Sequence, residues 1–320
     1  MKPETIVIKP TFKCVGNCIG CSSRQNLYNR IKGSRKLKLE DYFVLFFDLK
    51  ELGTKKIVFS GGEPLLYPGI TELVKLAKGF GFDVLINTTG YGLTDTLLDN
   101  IKESIDGITF SLNGHDKITD SKIRNPLLFD HTIKGIKKAV KTKEFFVNIN
   151  TIINRYNHSD IDKIVSLVSA LGAHVIHLSY VEGDWVNNNL LMTKEQEQHF
   201  NKIVKPRMTS YLKGLALPKD LKDASSKAIS QIFTQSYENG LYEEKNCKRK
   251  ENFSIILPNG DVHPCNIVEY VHEPVVGNIL KERFKSIWTG ESFSKFRNTD
   301  YKYCKYCPVN LRAKIFLKGV

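Results

Sequence analysis

Six short runs rich in β-branched and apolar residues, at Thr5–Lys9, Lys56–Ser60, Asp83–Asn87, Ile108–Leu112, Phe145–Thr151 and His174–Tyr180, alternate with stretches of helical period. Runs this short and this apolar read as buried strands. Between them, Leu39–Leu52, Ile70–Phe80, Thr94–Ile105, His131–Val140 and Asp160–Leu171 repeat apolar residues at helical spacing, and Gly53, Gly81 and Gly172 close three of these stretches. Such alternation predicts parallel strands joined by right-handed crossovers, in a doubly wound sheet or a barrel. Functional side chains then gather at the carboxyl ends of the strands.

The rhythm changes twice further on. From Trp185 to Asn246 the strand signal stops, and polar, Lys-rich sequence with helical patches at Lys194–Val204 and Asp220–Phe233 reads as a helical connection. From Cys247 a hairpin is expected, with strands Phe253–Leu257 and Asp261–Cys265 about the turn Pro258-Asn259-Gly260, followed by a helix over Ile279–Phe296. The chain therefore divides into an α/β core (1–184), a connection (185–246) and a C-terminal region (247–320). Its 320 residues suffice for one large core with an appendage.

Forty-seven Lys and Arg against 34 Asp and Glu give a net charge of +13, which can attract nucleic acid, a phosphorylated small molecule or an acidic peptide. The lysines are dispersed, a pattern that serves solubility and argues against nucleic acid as the main partner. The opening Met1–Lys9 has too short an apolar run for a signal peptide. No later stretch reaches the roughly 18 apolar residues of a membrane span. The expectation is a soluble, cytoplasmic protein with no membrane contact.

Seven cysteines would leave one over if paired, and nothing suggests secretion, so their spacing carries the meaning. Cys14, Cys18 and Cys21 form a C-x3-C-x2-C run directly after the first strand. Three thiolates there can hold three corners of a [4Fe–4S] cluster and leave the fourth iron open to a small molecule. Cys247, Cys265, Cys304 and Cys307 form a second set, able to complete either a closed cluster or a structural zinc site.

With these patterns the chain resembles the radical S-adenosylmethionine (SAM) superfamily, in particular members with a C-terminal SPASM or twitch extension. The resemblance runs from the strand before Cys14 to Cys307. It implies a partial (βα)6 TIM-like barrel with a hairpin-and-helix extension, and a cluster on Cys14, Cys18 and Cys21 whose open iron takes SAM. Ser60-Gly61-Gly62-Glu63-Pro64 looks like the motif on the SAM amino group: two glycines allow close backbone approach, and Glu63 can accept from an ammonium. Ile108–Gly114 and the downstream Arg124 resemble the segment in which Ser111 contacts SAM and Arg124 its carboxylate. Three positions depart from the usual pattern: Gly20 for an aromatic residue, Asn113 for Asp, and Thr88-Thr89-Gly90 for T-N-G, which reads as a turn. Cys247, Gly260 and Cys265, then Gly277-Asn278-Ile279 and Ser286-Ile287-Trp288, match the extension's opening. With no cysteine after Cys307, one auxiliary cluster of the twitch type is implied, and zinc becomes the second choice.

The resemblance implies that an external donor such as flavodoxin or ferredoxin supplies an electron, that SAM is cleaved, and that the 5′-deoxyadenosyl radical takes hydrogen from a substrate. The auxiliary cluster would carry an electron or brace the cap. With every cysteine committed, no thiol is left as a hydrogen donor, and no protein side chain is singled out as a catalytic acid, base or nucleophile. Modification of a peptide or protein side chain leads; oxidation of a sugar- or nucleotide-like small molecule is the alternative, and a non-enzymatic iron–sulfur or zinc protein is the reading from another class. Glu182, Asp184 and Trp185, after the sixth strand, fall where substrate contacts would lie but equally suit a solvated loop. His174 and His177 read as packed or surface residues.

Overall fold

The computed structural model describes residues 1–21, 31, 33–181, 190–232, 247, 249–265, 274–299 and 313–318. The six expected strands are present, as β1 (Thr5–Ile8), β2 (Lys56–Phe59), β3 (Asp83–Thr88), β4 (Gly107–Ser111), β5 (Phe146–Ile153) and β6 (Val175–Tyr180). Each pairs in parallel with the next, in the order in which they occur in the chain. The crossovers are α1 (Leu39–Glu51), α2 (Ile70–Gly79), α3 (Asp95–Ile101), α4 (Lys117–Ser121) with α5 (Leu127–Thr142), and α6 (Ile161–Ala170). The architecture is the partial (βα)6 barrel.

Two helical details differ from the sequence expectation. The short α4 exists because the Asp116 side chain caps it, accepting from the Thr119 N–H at 2.7 Å. The following helix starts at Leu127, earlier than His131, because Pro126 supplies a helix-compatible φ of −55° and the Asn125 side chain takes up the Leu127 N–H at 3.0 Å.

Alternation along the strands gives the sheet two unlike faces. Ile6, Ile8, Ile57, Phe59, Val84, Ile86, Ile108, Phe110, Val147, Ile149, Ile176 and Leu178 are buried against helix residues such as Phe46, Leu73, Ile136 and Val165. This face holds the main core. The opposite face is apolar near β1, where Val7 packs with Phe12, Ile31 and Ile255. Towards β3–β6 it carries Asn87, Thr109, Ser111, Asn148, Asn150 and His177, all half-buried.

The C-terminal part supplies α7 (Lys194–His199), a π-helical turn (Phe200–Val204), α8 (Lys205–Gly214), α9 (Lys219–Gln231), α10 (Arg249–Asn252), β7 (Phe253–Ile256), β8 (Asp261–His263), β9 (Gly277–Asn278), α11 (Phe284–Thr289), α12 (Glu291–Asn298) and β10 (Ala313–Phe316). The expected hairpin is β7–β8. The single helix expected over Ile279–Phe296 is two, broken at the extended Gly290 (φ −74°, ψ 169°). A Cβ at Gly290 would lie 2.8 Å from the Ser286 carbonyl oxygen. Both edges of the ten-stranded sheet come from this part: β7 adds in parallel to β1, and β10 adds antiparallel to β6.

Candidate active site

The cysteine loop leaves β1 and packs, backbone on backbone, against the loop that leaves β2. The Gly62 N–H donates to the Thr11 carbonyl (3.0 Å) and the Glu63 N–H to the Lys13 carbonyl (2.7 Å). A Cβ on Gly61 would lie 2.5 Å from the Thr11 oxygen, and one on Gly62 2.4 Å from the Lys13 oxygen. In this structure the glycine pair thus serves the approach of the cysteine loop, where the sequence suggested the approach of a ligand. Ser60 continues β2, its N–H donating to the Ile8 carbonyl at 2.9 Å. Pro64 opens a 3₁₀ turn over Pro64–Leu66.

Within the cysteine loop, Cys14 and Cys18 converge around Gly16. A Cβ there would sit 3.2 Å and 3.3 Å from their sulfurs, and the Gly16 N–H donates to Cys14 Sγ at 3.2 Å. Among the described residues no three His, Cys, Asp or Glu side chains close on a single ion. Three thiols on one loop suit separate corners of a cluster, whose thiolates bind different irons. Gly20 adopts φ +73°, a left-handed turn that an aromatic side chain would strain, which accounts for its departure from the usual residue. Burial pushes the Cys18 thiol up to about 11, against the pull of the nearby Arg124 charge. Left alone it stays protonated, so iron must drive its ionisation on binding.

Glu63 is fully buried. One carboxylate oxygen accepts from Thr88 Oγ1 (2.6 Å) and the Leu65 N–H (3.2 Å), the other from the Thr89 N–H (2.8 Å) and the Thr89 hydroxyl. Four donors fill the roughly four acceptor positions of a carboxylate. A ligand ammonium reaching Glu63 must therefore share it with a threonine hydroxyl. Thr88-Thr89-Gly90, expected as a turn alone, is the cradle of this carboxylate.

Beyond β4, Asn113 is buried and latches β4 to β5. Its side-chain oxygen accepts from the Ile152 N–H (2.8 Å), its carbonyl accepts from Asn157 Nδ2 (2.9 Å), and its N–H donates to Asp120 (2.8 Å). Arg124, also buried, donates to both Asp120 oxygens at 3.1 Å and to the Thr132 hydroxyl at 3.1 Å. The Thr132 hydroxyl lies 2.6 Å from the Thr89 carbonyl oxygen. One hydrogen-bonded chain thus runs Glu63, Thr89, Thr132, Arg124, Asp120, Asn113 and gathers three separate sequence motifs. Asp120 and Thr132 went unrecognised in the sequence. An Asp four residues before the Arg was the available signal for Asp120; Thr132 left none.

Ser111 stands on the polar face of the sheet in register with Asn150, which pairs in turn with His177. One turn of the pleat below, Asn87, Thr109 and Asn148 form a second row. His174, at the opposite end of β6, accepts the Val147 N–H at 3.1 Å and packs on Phe146, remote from the site. Glu182, Asp184, Trp185, Cys304 and Cys307 lie outside the described residues. Of the second cysteine set, the Cys247 carbonyl accepts the Lys250 N–H at 3.0 Å, and Cys265 follows β8 against the core. No described helix is long and apolar enough to cross a membrane.

Comparison with known proteins bears on both cysteine sets. Residues 8–168 match the model of the radical SAM superfamily, and residues 247–308 match that of the SPASM iron–sulfur cluster-binding domain. Among solved structures, Streptococcus suis SuiB bound to the precursor peptide SuiA superimposes with a TM-score of 0.70 at 18% identity, covering 96% of this chain and 71% of SuiB. Native anSMEcpe with bound AdoMet gives 0.68 at 14% identity, over 95% of this chain and 88% of its own. With the Cp18Cys peptide also bound it gives 0.68 at 16% identity, over 95% and 85%. These likenesses concern the fold, whereas the family match spans half of the chain. The chain belongs to the radical SAM superfamily: it is an enzyme of SAM and a [4Fe–4S] cluster, with a C-terminal SPASM domain for auxiliary iron–sulfur chemistry.

Proposed function

We propose that this enzyme modifies a side chain of a peptide or protein by hydrogen-atom abstraction. The observation that carries this reading is the polar face of the sheet, where two rows of hydrogen-bonding side chains, Asn87–Thr109–Asn148 and Ser111–Asn150–His177, lead away from the cysteine loop's end of the sheet. Carboxamides offer a donor and an acceptor side by side, the complement of a peptide unit. Asn87, Thr109, Ser111 and Asn148 make no side-chain hydrogen bond to protein among the described residues. The likeness to SuiB, solved with its precursor peptide, and to anSMEcpe, solved with peptides, supports the same substrate class.

In this reading Cys14, Cys18 and Cys21 hold the SAM-binding cluster, and Cys247, Cys265, Cys304 and Cys307 hold one auxiliary cluster. When bound, cluster and SAM supply one-electron reduction and a 5′-deoxyadenosyl radical able to take hydrogen from carbon. The protein's own part is positioning. The Glu63–Asn113 chain fixes the loops on β1, β2, β3 and β4 relative to one another, Ser111 faces SAM, and Arg124 serves its carboxylate with Asp120 balancing the charge. A target C–H must be held within near-attack range and away from water.

The test is anaerobic reconstitution of wild type and of the Cys14→Ala/Cys18→Ala/Cys21→Ala variant, with iron, sulfide and zinc counts and a SAM-cleavage assay. At four irons per cluster, about eight irons in wild type and about four in the variant are expected. Reductant-dependent 5′-deoxyadenosine should appear only in wild type and rise with peptide substrates. Turnover of a sugar or nucleotide derivative, with peptides ignored, would replace this reading by small-molecule oxidation.

A further inference from the structure

Three apolar side chains are exposed on the outer side of the cysteine loop. Ile19, on the loop itself, is 38% exposed, Ile118 on α4 is 77% exposed and Leu127 at the start of α5 is 58% exposed. Hydrogen bonds join their three segments. The Ile19 N–H donates to the Ile123 carbonyl (2.9 Å), Asn125 Nδ2 donates to the Val15 carbonyl (2.9 Å), and the Asn125 side chain accepts from the Leu127 N–H. Lys117 reaches Asp130 at 2.7 Å and ties α4 to α5. Three large apolar side chains therefore stand in water around the loop that carries Cys14, Cys18 and Cys21. The folded chain gains nothing from exposing them, and grouped exposed apolar residues mark contact surfaces.

The surroundings are basic. Lys13 and Lys122 are exposed beside this patch, and Lys134, Lys137 and Lys141 continue along the solvent side of α5. Lys122, Lys134, Lys137 and Lys141 form no salt bridge among the described residues. The acids of the area are engaged: Asp130 by Lys117, Asp116 as the cap of α4 beside His115, and Asp120 by Arg124. The whole chain carries +13. An apolar contact zone flanked by unpaired lysines complements an acidic protein, and long-range attraction of this kind speeds encounter.

We propose that this collar, Ile19, Ile118 and Leu127 with Lys122 and Lys134, is the docking surface for an acidic one-electron carrier protein. The inference rests on the cluster assignment for Cys14, Cys18 and Cys21. It fits their geometry because the collar residues are bonded to the cluster loop itself, which keeps the electron's path short. In the step, the carrier loses one electron and the protein-bound cluster gains it; no atom or proton is exchanged.

The test uses reconstituted enzyme and two reductants, a prereduced flavodoxin of net negative charge and dithionite, with cluster bleaching followed directly by stopped flow. Ile118→Glu, Leu127→Glu and the Lys122→Glu/Lys134→Glu pair should each slow reduction by flavodoxin about tenfold or more at low salt. Reduction by dithionite should stay at the wild-type rate, as should iron content. Raising the salt concentration should slow wild type and flatten the difference. Unchanged flavodoxin rates in all three variants would overturn the proposal, as would equal slowing with dithionite. Failure of SAM cleavage in wild type would count against the proposed function alone, because bleaching reads electron delivery without turnover.

Discussion

At Glu63, burial and hydrogen bonding pull the carboxyl in opposite directions. Loss of water raises its pKa above the usual 4.5, while Thr88, Thr89 and the Leu65 N–H lower it, and burial prevails. A carboxyl whose folded pKa exceeds its unfolded value binds its proton more tightly when folded. Its contribution to stability is therefore gained as pH falls from the folded pKa towards 4.5, and is lost as pH rises through the folded value. Glu63→Gln carries no such proton. Thermal midpoints of wild type and variant, measured from about pH 4.5 to about pH 8, should diverge towards wild type on the acid side. A gap that does not change with pH would mean that Glu63 titrates alike in both states.

Among the elements, α5 shows what periodicity reveals and what it hides. Its apolar spacing marked a helix, and Ile136 and Ala139 are buried as that spacing requires. Its first turn was missed because the partners that fix it are not local: Asn125 reaches Val15, 110 residues earlier, and Thr132 reaches Thr89. The cysteines and Glu63 were legible because their chemistry is written in short spacings, whereas Thr132 and Asp120 act through contacts made only by the fold. Asn125 both caps α5 and clamps the cysteine loop, and the two roles can be separated. Asn125→Ser keeps an oxygen for the Leu127 N–H but loses the reach to Val15; Asn125→Ala loses both. Both variants should release iron to a chelator faster than wild type, with Ser recovering thermal stability lost in Ala. Iron retention equal to wild type in both would reduce Asn125 to a helix cap.

Across the whole molecule, the sequence suggested a core followed by a separate C-terminal region, and the sheet joins them. β1, at the start of the chain, lies between β2 and β7, so the first strand depends on the hairpin more than 240 residues later for half its pairing. Arg283 binds the buried Asp48 across α11 and α1, and Trp288 Nε1 donates to the Met1 carbonyl at 3.1 Å. At the other edge β10 covers β6, and one apolar cluster runs from Ile6 to Leu317. Among the described residues, this arrangement offers no plane along which the C-terminal region could melt while leaving the barrel's edges paired. Such an edge would also expose unpaired strand groups that template aggregation. Calorimetry of the reconstituted protein should therefore give one cooperative transition, with amide protection in β7 and β8 lost together with that in β1 and β2. An earlier, separate transition confined to residues 249–298 would mean that the added strands decorate the barrel rather than complete it.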